Sequence, residues 1–243
     1  MRLRQLLADS RTVQLDGGLS TALEELGADV DDPLWTAKVL RDDPELVLAA
    51  HRAFVDAGAE IVISASYQAP DDLLAESVRV ARRAGVLVAA SVAPYGASLA
   101  GGEEYTGDYE VPAGWHERRL ELLLEAEPDF VAIETQPRLD EAVAIAALLE
   151  DIDGWVTFTC RDGERTGHGE RIEDAVAAVA AFGAVAPSAS TAPRPSTSTS
   201  SCGAPAPSRT SRLSPTRTPA APTTRRRRPG PAARRPGAAT PRS

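Results

Sequence analysis

The stretch AGAEIVISASYQA, residues 57–69, decides the fold class of this chain. Residues 59–67 form a short, nearly continuous apolar run, which predicts a strand buried on both faces. The next segment, residues 71–85, spaces its apolar side chains as one face of a helix does, with aspartates at its start and Arg82, Arg83 and a glycine at its end. A buried strand followed by an amphipathic helix is a βα unit, the building block of a parallel sheet.

The same alternation extends on both sides of this unit. Further helices are expected up to about residue 57, one of them opened by Asp43-Pro44, and then at 115–127, 139–150 and 171–183. Further strands are expected at TVQLDGG (12–18), VLVAASVAPYG (86–96), DFVAIET (129–135) and GWVTFTC (154–160). Five βα units predict an α/β fold that is either a doubly wound sheet or a (β/α)8 barrel, and periodicity alone does not choose between them.

The charge of the chain divides it into two regions. Residues 1–186 hold 15 of the 26 Lys and Arg residues and all 35 Asp and Glu residues, a net charge of −20. Residues 187–243 hold the other 11 basic residues, all Arg, together with 12 of the 19 prolines. Because this second region has almost no apolar area to offset the entropy of ordering it, we expect a disordered Pro/Ser/Thr/Ala/Arg-rich tail.

The composition of the chain bears on its cellular location and on its binding partners. The first residues lack the apolar core of a signal peptide, and no run is long enough to span a bilayer, so a cytoplasmic protein is expected. The alternative function is that of a non-catalytic barrel fragment with a basic disordered tail that binds nucleic acid or an acidic partner. Against nucleic acid, the tail has neither lysine nor an aromatic residue on which bases could stack.

Polar side chains recur where predicted strands end, which in a barrel is the catalytic face. These residues are Asp16, Tyr67, Tyr95, Glu134 and Cys160. Each also has a structural interpretation, since Asp16 can be a turn residue and Glu134 the acid at a helix N-terminus. Two histidines, His51 and His116, fall on predicted helices and are expected to be surface residues or hydrogen-bonded structural ones.

Five segments taken in order resemble the homocysteine S-methyltransferase family, over residues 12 to about 185. They are LDGGLSTALEELG (15–27), DPLWTAKVL (32–40), AGAEIVISASYQA (57–69), SVAPYGASLAGGEEYTGDY (91–109) and VAIETQP (131–137). The resemblance implies a (β/α)8 TIM barrel that transfers a methyl group from a sulfonium donor, S-methylmethionine or S-adenosylmethionine, to homocysteine, giving methionine. It also implies an incomplete homocysteine-binding barrel domain of about five βα units at residues 1–186.

The resemblance assigns roles to four residues. Asp16 with Gly17, and Glu134, are expected to hold the ammonium group of homocysteine, and Tyr67 to line the same pocket. The family's zinc ion is held by cysteines in G-x-N-C and G-G-C-C motifs after the sixth and eighth strands, and neither motif is present. Cys160 follows the fifth strand and Cys202 lies in the tail, so zinc is expected for the family but not for this chain. The segment after Tyr67 is shorter than in the family pattern, so part of the pocket rim is expected to be missing.

The tail itself suggests why the motifs are missing. Its composition is typical of GC-rich DNA read out of frame. Shifted by one base, PSASTAPRP (187–195) is compatible with V-G-V-N-C-T-A-P, and residues 200–225 with a helix followed by a strand ending in Y-P-N-S-G. Both resemble family motifs at the proper distance from each other. The sequence therefore predicts a frameshift near residue 186 that removes strands six to eight and the zinc ligands, leaving methyl transfer impaired.

Overall fold

The strands of this protein follow one another in the same order in sequence and in space. The computed structural model describes residues 3–7, 12–32, 34–99, 101–149, 152–183 and 185–187. Five strands form one parallel sheet in the order β1 to β5, at Ile61–Ile63, Leu87–Val92, Phe130–Gln136, Gly154–Phe158 and Val185–Pro187. This order has no reversal, whereas a doubly wound sheet reverses direction at its switch point. The sheet is therefore that of the barrel class.

Eight α-helices lie within the described ranges. They are α1 (Leu3–Leu6), α2 (Leu19–Glu25), α3 (Thr36–Asp42), α4 (Pro44–Asp56), α5 (Asp71–Arg82), α6 (Trp115–Leu124), α7 (Leu139–Ala147) and α8 (Ile172–Ala180). Helices α5 to α8 each connect two neighbouring strands. The predicted start of α4 is confirmed, because Asp43 accepts a hydrogen bond from the backbone N–H of Leu46 at 3.1 Å and Pro44 is the first helical residue.

The sheet buries different residues on its two faces, as the alternation of a strand requires. One face packs against helices α5 to α8 in the largest apolar cluster, to which Val131, Ile133 and Phe158 belong. On the other face, Phe130, Ala132 and Trp155 cluster with Leu3 of α1 at the amino ends of the strands. We call this side the inner face. The backbone N–H of Leu3 donates to Asp153 Oδ2 at 2.7 Å, which fixes α1 over these amino ends.

Two strands differ from the prediction. The first predicted strand, 12–18, is reduced to a single parallel bridge between Leu15 and Ile61, because Asp16 and two glycines follow at once. The sixth strand, counted among the lost elements, is present for three residues as β5 and pairs with β4 from Val185 onward. The strand ends at Pro187, one residue beyond the expected domain boundary at 186.

The remaining predictions about the tail concern residues 188–243, which lie outside the described residues. They include its disorder, the fate of strands seven and eight, and the position of Cys202. Within the described ranges, none of the helices combines the length and the apolar character needed to cross a bilayer.

Candidate functional site

A cavity of about 180 Å³ opens at the carboxyl ends of β1, β2 and β3. All four residues predicted for the homocysteine site lie in its wall, namely Asp16, Gly17, Tyr67 and Glu134. The other lining residues are Gly18, Leu19, Ser20, Trp35, Thr36, Ile63, Ser64, Ala65 and Ser91. None of these is basic, so the two carboxyl groups have no positively charged neighbour in the wall of the cavity.

Asp16 follows the Leu15 bridge and turns its side chain beneath the end of β1. Its Oδ2 accepts a hydrogen bond from the backbone N–H of Ile63 at 2.8 Å, whereas its buried Oδ1 has no hydrogen-bond partner. Burial raises the pKa of Asp16 to about 7, against the opposing effect of the Ile63 bond, and the charge of Glu134 raises it further. The site thus holds a carboxyl group with one oxygen free to accept a hydrogen bond.

Gly17 continues this turn, at a position where a side chain would collide with Phe54. A Cβ at this position would lie 3.1 Å from Cε1 of Phe54, closer than carbon atoms normally approach. Glycine therefore lets the backbone next to Asp16 pack on α4 while still forming part of the cavity wall.

His51 lies behind Asp16, and the expectation of a surface or hydrogen-bonded residue is wrong for it. The side chain is fully buried, its Nδ1 is 4.0 Å from Asp16 Oδ2, and neither ring nitrogen has a hydrogen-bond partner. Burial lowers the pKa of His51 to about 4, so the imidazole is neutral near pH 7 and does not offset the carboxylate charge. A sequence signal existed, since His51 follows the buried Val47 and Leu48 at helical spacing.

Glu134 enters the cavity from the carboxyl end of β3. Its Oε2 accepts a hydrogen bond from Ser91 Oγ at 2.6 Å, and burial raises the pKa of the Glu134 carboxyl. The backbone N–H of Ser91 donates in turn to Ser64 Oγ at 3.1 Å. Neither serine was predicted from the sequence as a site residue. The signal for Ser91 is its place in β2, two residues after Ala89 of the inner-face cluster.

Tyr67 lies in the segment between β1 and α5, and the side chain of Thr135 acts to lower the pKa of its phenol. Burial is the main cause that raises the pKa of this phenol, and the charge of Glu134 adds to it. The hydroxyl therefore stays protonated at neutral pH and serves as a hydrogen-bonding group beside the two carboxyls.

Two other predicted strand-end residues do not line the cavity. Tyr95 packs edge-on against Tyr109 and Trp115, with ring centroids 5.8 and 5.2 Å away. Cys160, 7% exposed, belongs to the apolar cluster on the helix-covered face of the sheet. His116 is a structural histidine as expected, because its Nε2 lies 2.8 Å from Glu141 Oε1.

Comparison with known proteins agrees with this arrangement. The family model described as homocysteine S-methyltransferase matches residues 13–197 of the chain. The chain belongs to the homocysteine S-methyltransferase family. Among its relatives, homocysteine S-methyltransferase 3 of Zea mays is 39% identical over 199 residues, which cover 65% of this chain and 59% of that protein. Homocysteine S-methyltransferase of Escherichia coli (strain K12) is 39% identical over 213 residues, covering 74% of this chain and 69% of that protein.

The solved structures lead to the same family and settle the fold. The metallated form of the Escherichia coli homocysteine methyltransferase MmuM superposes with a TM-score of 0.69 at 36% identity, covering 75% of each chain. The sheet is thus part of an α/β fold of the TIM-barrel family. The chain spans about three fifths of the length of the maize relatives that it matches.

Zinc, which the family resemblance implies, does not fit the described residues. Among them, no group of three or more His, Cys, Asp or Glu side chains is arranged to hold a metal ion. Cys160 lies on the helix-covered face, away from the cavity wall formed by Asp16 and Glu134. The described residues therefore do not form a zinc site by themselves.

Proposed function

We propose that this protein is a homocysteine S-methyltransferase whose described residues form the amino-acid half of the active site. In this proposal Asp16 and Glu134 hold the ammonium group of homocysteine, while Gly17 and Tyr67 shape the pocket around it. The methyl donor is a sulfonium compound, S-methylmethionine or S-adenosylmethionine. The protein acts in methionine formation in the cytoplasm.

The observation that carries this proposal is the uncompensated acidity of the cavity. Two buried carboxyl groups line it, no basic residue stands among its lining residues, and the neighbouring His51 is neutral. Ionised carboxylates in such a place need a cationic partner, and Asp16 Oδ1 is a buried acceptor that lacks a donor. An ammonium group supplies both the charge and the hydrogen bonds.

The size of the cavity agrees with one small amino acid, and its rim agrees with a cationic methyl donor. A volume of about 180 Å³ is below that of sites for drug-sized molecules and is suited to a small amino acid. Trp35 lines the cavity with 37% of its surface exposed. The face of an indole attracts cations, so Trp35 is suited to the positively charged sulfur of the methyl donor.

We further propose that the chain as written binds homocysteine but transfers methyl groups poorly. A zinc ion bound by cysteines lowers the pKa of a thiol and so supplies the thiolate nucleophile that the reaction needs. The described residues do not fit this ion, and the frameshift hypothesis explains the missing cysteines.

Calorimetry tests the binding proposal. Homocysteine is titrated into the protein in the presence of a chelator, and 4-sulfanylbutanoate, which lacks only the α-amino group, serves as the matched ligand. We expect homocysteine to bind and the amine-free analogue to bind at least about tenfold more weakly, because it leaves both carboxylates unpaired. Equal affinity for the two ligands would refute the assigned role of Asp16 and Glu134.

Sequencing the gene from codon 180 onward tests the frameshift. A one-base gain or loss near codon 186 predicts a continuation through G-V-N-C to a second cysteine motif, and a protein with zinc-dependent activity. An unchanged reading frame would refute the frameshift and leave a chain without the zinc motifs of its family.

A further inference from the structure

We propose that Thr157 of β4 is a positioning residue for the homocysteine site. It holds a bulge in β3 that places Glu134 and Tyr67 together at the cavity. This inference extends the proposed function and depends on it, but it rests on its own observations in β3 and β4.

The bulge is an extra residue in β3 opposite Thr157. Residues 131 to 133 pair in step with 154 to 156, but Gln136 then pairs with Phe158 rather than with residue 159. Two residues of β3, Glu134 and Thr135, therefore face the single residue Thr157 of β4. Bulges of this kind redirect side chains and are frequent beside active sites.

In the bulge, Thr135 has an unfavourable backbone conformation. Its φ is +60°, in the left-handed region that a β-branched residue rarely adopts. Such a conformation persists only where its surroundings hold it.

Thr157 of β4 and Thr159, which directly follows β4, hold Thr135 in this conformation. The backbone N–H of Thr135 donates to Thr157 Oγ1 at 2.9 Å, and Thr159 Oγ1 donates to the Thr135 carbonyl oxygen at 3.1 Å. Because the bulge takes Thr135 out of the regular ladder, the Thr157 hydroxyl replaces the strand as acceptor for its N–H group.

The consequence of the bulge is a link between two cavity residues. Neighbouring residues of a regular strand point to opposite faces, so an unbulged Thr135 would point away from the cavity that Glu134 lines. In the bulge, the Thr135 side chain instead acts on the Tyr67 phenol, whose pKa it lowers. Glu134 and Tyr67 are thus connected through one strained residue, and that residue depends on Thr157. Thr157 itself is absent from the cavity lining.

The test replaces Thr157 by valine, which keeps its shape and removes the acceptor, and by serine, which keeps the hydroxyl. Affinity for homocysteine is measured by calorimetry, and stability by urea unfolding. For Thr157→Val we expect affinity to fall about tenfold or more, whereas Thr157→Ser retains it. A residue that only stabilised the fold would change the unfolding midpoint and leave the affinity of the folded protein unchanged.

Thr166→Val is the matched control. Thr166 is also a buried threonine that hydrogen-bonds through its hydroxyl, in this case to Glu170, and it does not line the cavity. This variant is expected to lose stability without losing affinity. Equal affinities of Thr157→Val and wild type would overturn the inference.

A second variant covers the case in which Thr157→Val does not fold. Glycine adopts the left-handed conformation without strain, so Thr135→Gly keeps the backbone of the bulge and removes the Thr135 side chain that acts on Tyr67. We expect weaker homocysteine binding without a loss of stability. Wild-type affinity in this variant would overturn the inference as well.

A crystal structure of Thr157→Val separates this inference from the proposed function. If wild-type protein does not bind homocysteine, the proposed function fails. The positioning role would still stand if Glu134 left the cavity in the variant, and it would fall if the bulge and Glu134 were unchanged.

Discussion

At the two ends of the inner face of the sheet, the buried polar side chains differ in whether they have hydrogen-bond partners. At the amino ends of the strands, Phe130 and Trp155 pack with Leu3, and the buried Asp153 accepts a hydrogen bond from the backbone of α1. At the carboxyl ends, Asp16 has a buried oxygen without a partner, and His51 has two such nitrogens. The first end stabilises the fold, whereas the second retains binding capacity at some cost in stability.

This difference predicts that substitutions at the two ends will have separable effects. A change at the closed amino end should lower the unfolding free energy and leave ligand affinity unchanged. A change at the open carboxyl end should lower affinity and leave stability unchanged or higher. The following variants test this separation.

The largest effect is expected at the closed end, for Phe130→Ala. Phe130 is completely buried, and its truncation should lower the unfolding free energy by about 3–5 kcal/mol, because it creates a cavity among well-packed side chains. Urea unfolding measures the loss. Phe130→Leu, which fills most of the space, should lose much less, and both folded variants should bind homocysteine with wild-type affinity. A large loss of affinity would show that the two ends are coupled.

The second effect is the pH dependence of stability, compared between wild type and Asp16→Asn. The pKa of Asp16 is raised from 3.8 to about 7, so its contribution to stability is complete below pH 4 and is lost as pH rises to 7. Between pH 4 and 7, the unfolding free energy of Asp16→Asn should therefore rise relative to that of wild type, by up to roughly 4 kcal/mol. Unfolding curves at pH 4 to 8 measure the gain, and a constant difference would contradict the raised pKa.

The third effect concerns affinity at the open end. Asp16→Asn keeps an oxygen for the Ile63 N–H group but removes the charge that faces the ligand's ammonium. Homocysteine affinity at pH 8 should fall about a hundredfold, roughly 3 kcal/mol. In wild type the affinity should rise between pH 6 and 8, as Asp16 becomes ionised, and this rise should be weaker in the variant. Unchanged affinity would exclude Asp16 from the binding site.

The smallest effect is expected for His51→Leu. The buried imidazole lacks a hydrogen-bond partner, so an apolar side chain of similar size should leave the unfolding free energy at pH 7 unchanged or raise it by about 1 kcal/mol. Because the pKa of His51 is lowered, its contribution to the unfolding free energy is complete above pH 6.5 and is lost as pH falls to about 4. The variant should not show this loss. A loss of about 2 kcal/mol or more at pH 7 would reveal an unrecognised partner.

The sequence predicted most of the fold because strand and helix periodicities are local. Residues 61–63 and 87–92 are strands within the predicted segments, strand 130–136 ends one residue beyond its predicted segment, and α5 occupies the predicted helix. Family motifs led to Asp16, Gly17, Tyr67 and Glu134, which the structure brings to one cavity. Periodicity could not distinguish a barrel from a doubly wound sheet, since that choice depends on the order in which strands pair.

The features that sequence analysis missed depend on contacts between distant residues. His51 is buried because α4 packs it behind Asp16, a residue 35 positions earlier in the chain. The bulge at Thr135 depends on a hydroxyl of the next strand, and an apolar strand pattern gives no sign of it. Local propensity does not encode such pairs, so their residues were interpreted as ordinary helix and strand positions.

The hydrogen bond between Leu3 and Asp153 also has a consequence for how the protein is made. These residues are 150 positions apart, so α1 cannot reach its final place until β4 has been synthesised. Contacts between such distant residues slow folding because a long loop must close first. Helix α1 leaves the ribosome before the five strands do, yet it is among the last of these elements to dock. Until then the apolar side chains at the amino ends of the strands are open to solvent and to chaperones.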